Sequence, residues 1–176
     1  HRLRAQCDAV IVGGNTVRKD DPLLTSRGKR QPEPFRVVLT KSLDLPSKAQ
    51  LWDTGVANTF IAYGQCETEK LFKMPSGPER LVLKSAEPLD LAEALARKDC
   101  NKVLWECGPS LAVEAFKQGC IQELTVVIAP KLLGGLPANT ALGEFGFSSM
   151  DEVLVMRNGS IQNLGKDFLL KMFLDE

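Results

Sequence analysis

Along most of the chain, short apolar runs alternate with polar breaks that carry glycine or proline. Asp8 to Gly14 (DAVIVGG) is an apolar run ended by two glycines and predicts a buried strand. Phe35 to Leu39, Thr59 to Tyr63, Leu81 to Leu83, Lys102 to Trp105 and Glu123 to Ala129 predict further strands. Thr16 to Pro22 reads as a polar turn or short helix, Ser26 to Pro34 as a loop rich in proline and charge, and Asp44 to Asn58 as irregular. Leu89 to Lys98 has apolar residues at helical spacing and good helix formers. Gly108-Pro109-Ser110 opens a second helix, Leu111 to Gln118, which Gly119 closes at a C-cap position. His1 to Cys7 reads as the tail of a helix whose beginning is missing, as in a fragment of a longer protein.

The last third has another character. Val153 to Arg157 and Phe168 to Phe173 predict strands joined through the turn-like Asn158-Gly159 and Leu164-Gly165, with no evident helix. The expected fold is α/β: a mixed, mostly parallel central sheet flanked by helices, then a C-terminal antiparallel hairpin. No repeat, low-complexity tract or linker divides it, so one domain over residues 1–176 is expected.

Charge and composition narrow the function. Lys+Arg and Asp+Glu both number 22, and no basic stripe is visible, which argues against nucleic acid as a partner. No apolar run is long enough to cross a bilayer, and a soluble intracellular protein is expected. The five cysteines (Cys7, Cys66, Cys100, Cys107 and Cys120) are odd in number and form no C-x-x-C, so they read as free thiols rather than disulfides or a zinc site. His1 is the only histidine, which disfavours a histidine triad or a metal cage.

Candidate chemistry gathers at strand ends. Gly13-Gly14-Asn15-Thr16 ends the first strand, where open α/β sheets place ligands. It matches neither G-x-G-x-x-G nor a P-loop, and alone it is a tight turn. Asp20-Asp21-Pro22 reads as a capped surface turn. Arg4 and Arg27 have the bidentate chemistry that grips phosphate, though as bare residues they read as solvated charges. Glu106-Cys107-Gly108-Pro109-Ser110 is the most informative segment: a strand ends on a carboxylate and turns into a helix whose first N–H groups suit a pyrophosphate. By this reading alone, Gly108 or Ser110 serves equally well as a simple helix cap. Leu132-Leu133-Gly134-Gly135 is a second glycine turn at a strand end.

These segments, in this order and spacing, resemble one family: the reductase domain of the bifunctional riboflavin biosynthesis deaminase–reductase. The resemblance is carried by H-x-L-R-A, D-A-V-I-V-G-G-N-T-V, D-D-P-x-L-T-x-R, E-C-G-P-S-L and E-L-x-x-x-I-A-P-K-L-L-G-G, and spans almost the whole chain. It implies a dihydrofolate-reductase-like fold, a homodimer, and NADPH-dependent reduction of the ribosyl group of 5-amino-6-(5-phosphoribosylamino)uracil to the ribityl product. It implies substrate contacts for Arg4, Leu24, Arg27 and Glu106, with the arginines near the phosphate. Cofactor contacts are implied for Thr16, Asp20 and the run Gly108, Pro109, Ser110, Leu111, Ala112, Val113 and Glu114. Glu106, the catalytic candidate, either holds the substrate or moves a proton.

The chain also departs from the family's pattern. The family's first strand, with its A-x-S-L-D-G motif, and a tryptophan segment are expected ahead of His1. Lys41 stands where the family often has a serine near the cofactor, and Cys107 replaces a smaller residue. The companion deaminase domain is expected as a fused neighbour. The E-C-G-P segment resembles plant or photosynthetic relatives, placing the protein in cytoplasm or plastid stroma. Two other readings remain open: a pterin or pyrimidine reductase of the same fold, and a non-catalytic domain kept for assembly or regulation.

Overall fold

The computed structural model describes residues 1–65, 68–132, 134 and 140–174. Five strands form the central sheet: β1 (Ala9–Gly13), β2 (Phe35–Leu39), β3 (Thr59–Tyr63), β4 (Glu79–Val82) and β5 (Val103–Trp105), in the order β4-β3-β2-β1-β5. Every neighbouring pair in it is parallel. The helices are α1 (Arg2–Ala5), α2 (Gly14–Asp20), α3 (Thr68–Phe72), α4 (Pro88–Ala96) and α5 (Pro109–Lys117). None of the described helices is long and apolar enough to cross a membrane.

A parallel sheet is covered on both faces, so its strands are apolar at consecutive positions rather than alternate ones. Ala9, Ile11, Val37, Leu39, Phe60 and Ala62 pack on one face with Leu91 and Leu95 of α4. Val10, Val12, Val38, Ile61 and Tyr63 pack on the other with Val17 of α2, Leu51 and Trp52. Burial of each such aliphatic side chain stabilises the fold by roughly 1.5–3 kcal/mol.

One residue in this core is charged. Arg36 of β2 is fully buried. Its guanidinium donates to the carbonyls of Asp53 and Ala57, both at 2.7 Å, and more weakly to those of Leu23 and Gln50 at 3.4 and 3.5 Å. A buried charge is costly unless its donors are satisfied; here the two Nη groups find carbonyls and tie down the 50–57 stretch, whereas Nε has no partner among the described residues. That segment carries a 3-10 turn at Gln50–Trp52.

The C-terminal strands form a sheet of their own. β6 (Glu123–Ile128), β7 (Met156–Leu164) and β8 (Asp167–Leu174) pair antiparallel in the order β6-β8-β7. The expected mostly parallel central sheet and C-terminal antiparallel strands are both present; among the described residues the antiparallel strands form a separate sheet, with β5 and β6 as edge strands. The expected strand at Val153 to Arg157 is displaced. A 3-10 turn covers Met150–Glu152, and β7 begins at Met156. Asn158-Gly159 is not a turn but lies inside β7, at a register shift between Asn158 and Ser160. The glycine serves a close approach, since a Cβ on Gly159 would run into the carbonyl oxygen of Lys171. Leu164-Gly165 does make the hairpin turn, with Gly165 at φ 68°. α2 starts at Gly14, two residues before the expected Thr16, and α3 was not anticipated. Cys66 and the Leu133 and Gly135 positions of the PKLLGG segment lie outside the described residues.

Candidate active site

From β1 the chain winds outward through β2, β3 and β4, then returns to lay β5 on the opposite side of β1. The carboxyl ends of β1 and β5 therefore mark the point where strand order reverses, the place where open α/β sheets bind ligands. Ile11 pairs with Trp105, and the Glu106 N–H donates to the Ile11 carbonyl at 3.0 Å, so β5 ends two residues short of the end of β1 and Glu106 follows alongside it.

Each strand leads directly into a helix. Gly13 is the N-cap of α2 and Gly108 that of α5, and neither helix has a side-chain cap. The first N–H groups of both are thus left for a ligand. Of the two simple caps open at sequence level, the backbone of Gly108 serves and the Ser110 hydroxyl does not. A Cβ on Gly13 would stand 3.5 Å from Leu111, whereas a Cβ on Gly108 would meet nothing within 4 Å among the described residues. Among the described residues the space around Gly108 is open, whereas Gly143 lies against the next residue, its N–H donating to the Pro109 carbonyl at 3.2 Å.

The centre of the site is an ion pair between residues 102 positions apart. Arg4 of α1 donates from Nε to Glu106 Oε2 at 2.8 Å and from Nη2 to Oε1 at 2.5 Å. Its Nη1 donates to the Thr25 carbonyl at 3.0 Å. Hydrogen bonding with Glu106 outweighs the burial that opposes it and raises the pKa of Arg4. The Arg4 side chain is 17% exposed and that of Glu106 41%, so the carboxylate stands at the solvent edge with its orientation fixed from behind. Arg4 is thereby committed to Glu106 and to the Thr25 loop rather than standing free for a phosphate.

The other predicted residues lie on the 21–28 loop, on α2 and along α5. Leu24 is buried and Arg27 exposed, both with left-handed backbone. Thr16 is half-buried in the first turn of α2, and Asp20 is exposed at its last residue. Along α5, Pro109 and Ser110 are exposed, and Leu111, Ala112 and Glu114 are half-buried. Val113 is buried, so only its backbone is offered to a ligand. Burial pushes the Cys107 thiol up to about 11, which keeps it protonated and unreactive near neutrality.

A cleft of about 290 Å³ continues along the same carboxyl edge, at the ends of β2, β3 and β4. Lys41, Gly64, Lys84, Ser85 and Glu87 line it. Lys41 Nζ donates to Glu87 Oε1 at 2.5 Å, and Gln118 of α5 donates to Oε2 at 3.1 Å. The Lys41 hydrogen bond is the main reason that the Glu87 pKa is lowered. Lys84 and Ser85 went unmarked in the sequence; their signal was a lysine and a hydroxyl immediately after a strand end. A larger depression of about 410 Å³, between Asp21, Lys48, Trp52 and Ser76, is lined by none of the residues at these strand ends.

Fold and site together define an α/β domain with an Arg4–Glu106 pair at the strand-order reversal of a parallel sheet and a lysine-lined cleft farther along the same edge. The particular family follows from comparison with known proteins. The family described as the RibD C-terminal domain matches residues 1–170, and the chain belongs to it. A riboflavin biosynthesis protein RibD from Synechocystis is 45% identical over 176 residues, covering 99% of this chain and 48% of that protein. The riboflavin biosynthesis protein PYRR, chloroplastic, of Arabidopsis thaliana is 36% identical, covering 98% of this chain and 29% of its own length. The chain thus spans half or less of these curated relatives. A Thermotoga maritima structure, titled a diaminohydroxyphosphoribosylaminopyrimidine deaminase/5-amino-6-(5-phosphoribosylamino)uracil reductase, superimposes with a TM-score of 0.80 at 23% identity, covering 99% of this chain and 47% of that one. At that identity it speaks for the fold alone, which is the expected reductase-like one.

Proposed function

We propose that the chain, as one domain over residues 1–176, reduces the ribosyl group of 5-amino-6-(5-phosphoribosylamino)uracil to the ribityl product with NADPH. The observation that carries this reading is the Arg4–Glu106 pair at the reversal point, set between two helix starts without side-chain caps. The nicotinamide supplies a hydride to C1′ of the ring-opened sugar. The chain supplies orientation and charge. Glu106, aimed by Arg4, accepts a hydrogen bond from a substrate hydroxyl at the reacting end. Arg27 grips the substrate's phosphate, and Leu24 packs beneath it as the buried base of the loop.

The residues present fit a phosphorylated dinucleotide laid along the carboxyl edge of the sheet. The open space over Gly108 admits a pyrophosphate to the N–H groups of Ser110, Leu111 and Ala112; Pro109 has none to give. The run through Val113 and Glu114 flanks the cofactor, with Thr16 and Asp20 of α2 on its other side. Lys84 fits the additional phosphate that distinguishes NADPH from NADH; Lys41 beside it is held by Glu87, and the Ser85 hydroxyl donates to Asp90. The same reading includes a fused deaminase domain, a soluble compartment (cytoplasm or plastid stroma), and a homodimer. Ile128, Phe168 and Ile161 share one face of the C-terminal sheet and are exposed there, which suits a second copy.

NADPH oxidation by the full-length protein, with the phosphorylated ribosylaminouracil as substrate and Arg27→Ala alongside, tests it. Turnover that falls in the variant mainly through KM is the expected result. No turnover with NADPH still bound would point to another substrate; neither turnover nor binding would leave an assembly or regulatory role.

A further inference from the structure

Three non-glycine residues between positions 21 and 27 adopt left-handed backbone: Asp21 at φ 39°, Leu24 at 55° and Arg27 at 53°. Such backbone is unfavourable for any residue with a Cβ and persists where its surroundings over-determine it. At Arg27 the surroundings are one carboxylate. Glu33 Oε2 accepts the Ser26 N–H at 2.6 Å, and Oε1 accepts the Gly28 N–H at 3.0 Å. A single side chain therefore spans both chain neighbours of Arg27. Burial opposes ionisation of Glu33, but the hydrogen bonds from Ser26 and Gly28 prevail and hold it below the usual carboxylate range.

The rest of the loop is anchored from other directions. Ser26 is fully buried, and its Oγ accepts the Arg30 N–H at 3.1 Å. Arg30 itself is bound to the Cys7 carbonyl and to Asp8. Arg4 donates to the Thr25 carbonyl, and Arg36 donates weakly to that of Leu23. Between these fixed points the Arg27 side chain is exposed, with no ion pair among the described residues. A half-buried carboxylate beside an exposed arginine would ordinarily be read as its partner. Here the carboxylate is spent on backbone N–H groups, which leaves the guanidinium free.

We propose that Glu33 is a positioning residue for the substrate's phosphate: by clasping Ser26 and Gly28 it holds Arg27 in its left-handed turn, two residues beyond the Thr25 carbonyl that Arg4 engages. This rests on the reading of Arg27 as the phosphate ligand. Glu33→Ala removes both acceptors, and Glu33→Gln keeps one.

The test uses the full-length protein and steady-state kinetics at saturating NADPH, on the phosphorylated substrate and its dephosphorylated form. Glu33→Ala is expected to raise KM for the phosphorylated substrate about tenfold and Glu33→Gln about threefold, with kcat held within about twofold. KM for the dephosphorylated form stays unchanged. In an Arg27→Ala background, Glu33→Ala adds nothing to KM, although it still lowers Tm. A KM effect of equal size with and without the phosphate, or in both backgrounds, overturns the proposal, as does a fall in Tm alone. A second readout is independent of turnover: titration of inorganic phosphate against the Arg27 side-chain Nε–H resonance. If that signal responds in the wild type and the response weakens about tenfold in Glu33→Ala, the proposal stands even where no turnover is found and the reductase reading fails. If the wild-type signal does not respond, the proposal falls together with the phosphate role of Arg27.

Discussion

The two sheets of this molecule are built under opposite constraints. The parallel sheet is sealed at its centre: β3 is buried at every position and β1 at all but its last, while the edge strands β4 and β5 are mostly exposed and half-buried, respectively. In the antiparallel sheet β6 is only partly buried and ends exposed, and β8 mixes half-buried with exposed positions. Ile161 on β7 is 74% exposed, whereas Ile11 on β1 is wholly buried. The difference separates two tasks. The sealed sheet supplies a rigid floor whose strand ends hold Glu106 and the two helix starts in register. The open sheet contributes none of the proposed site residues and has apolar surface left to bury against something else.

That contrast can be broken by mutation. Ile11→Ala should cost about 4 kcal/mol in urea unfolding, by lost transfer energy and a cavity in a rigid core. Arg36→Leu should cost about 3 kcal/mol, because several carbonyls lose their donor within a dry interior. It should also loosen the 23–28 loop through the Leu23 carbonyl, seen as faster amide exchange there.

Asp8 sharpens the picture at the amino end of the floor. Its carboxylate accepts the N–H groups of Asn101 and Lys102 and pairs with Arg30. The Lys102 hydrogen bond is the largest cause of its lowered pKa, opposed by burial and aided by Arg30. A lowered folded pKa means that the contribution is complete above about pH 4 and fades as pH falls through the folded value. Asp8→Asn should therefore cost about 1 kcal/mol at neutral pH, with wild type and variant converging in acid unfolding curves. Smallest of all, Ile161→Ala should change monomer stability by less than about 0.5 kcal/mol while weakening self-association in sedimentation equilibrium. A loss comparable to that of Ile11→Ala would show that the second sheet is as tightly sealed as the first.

What the sequence revealed follows the same division. Strands buried on both faces write themselves as apolar runs, so β1, β2 and β3 were legible, and so was the turn from Glu106 into α5. Strands that share their burial with solvent write a weaker pattern. The start of β7 was misplaced, and the strong turn signal of Asn158-Gly159 was overridden by the close approach of Lys171. Charges were the least legible. Arg36 within FRVVL gave no sign that loop carbonyls would enclose it, and nothing singled out Glu33 within a loop rich in proline and charge. The Arg4–Glu106 pair joins residues too far apart in sequence for spacing to reveal it. Resemblance marked both residues, but with Arg4 assigned to a phosphate; the geometry gives it to Glu106.

The central claim is that Glu106, aimed by Arg4, stands where a hydride is delivered to the substrate. The most direct measurement is mass spectrometry of the product formed by the full-length protein from the phosphorylated ribosylaminouracil and NADPH deuterated at the nicotinamide C4 on the transferred face. The account predicts one deuterium at C1′ of a ribityl product, with the rate falling about a hundredfold in Glu106→Gln. A ribityl product without deuterium, or label transfer at an unchanged rate in Glu106→Gln, would contradict it.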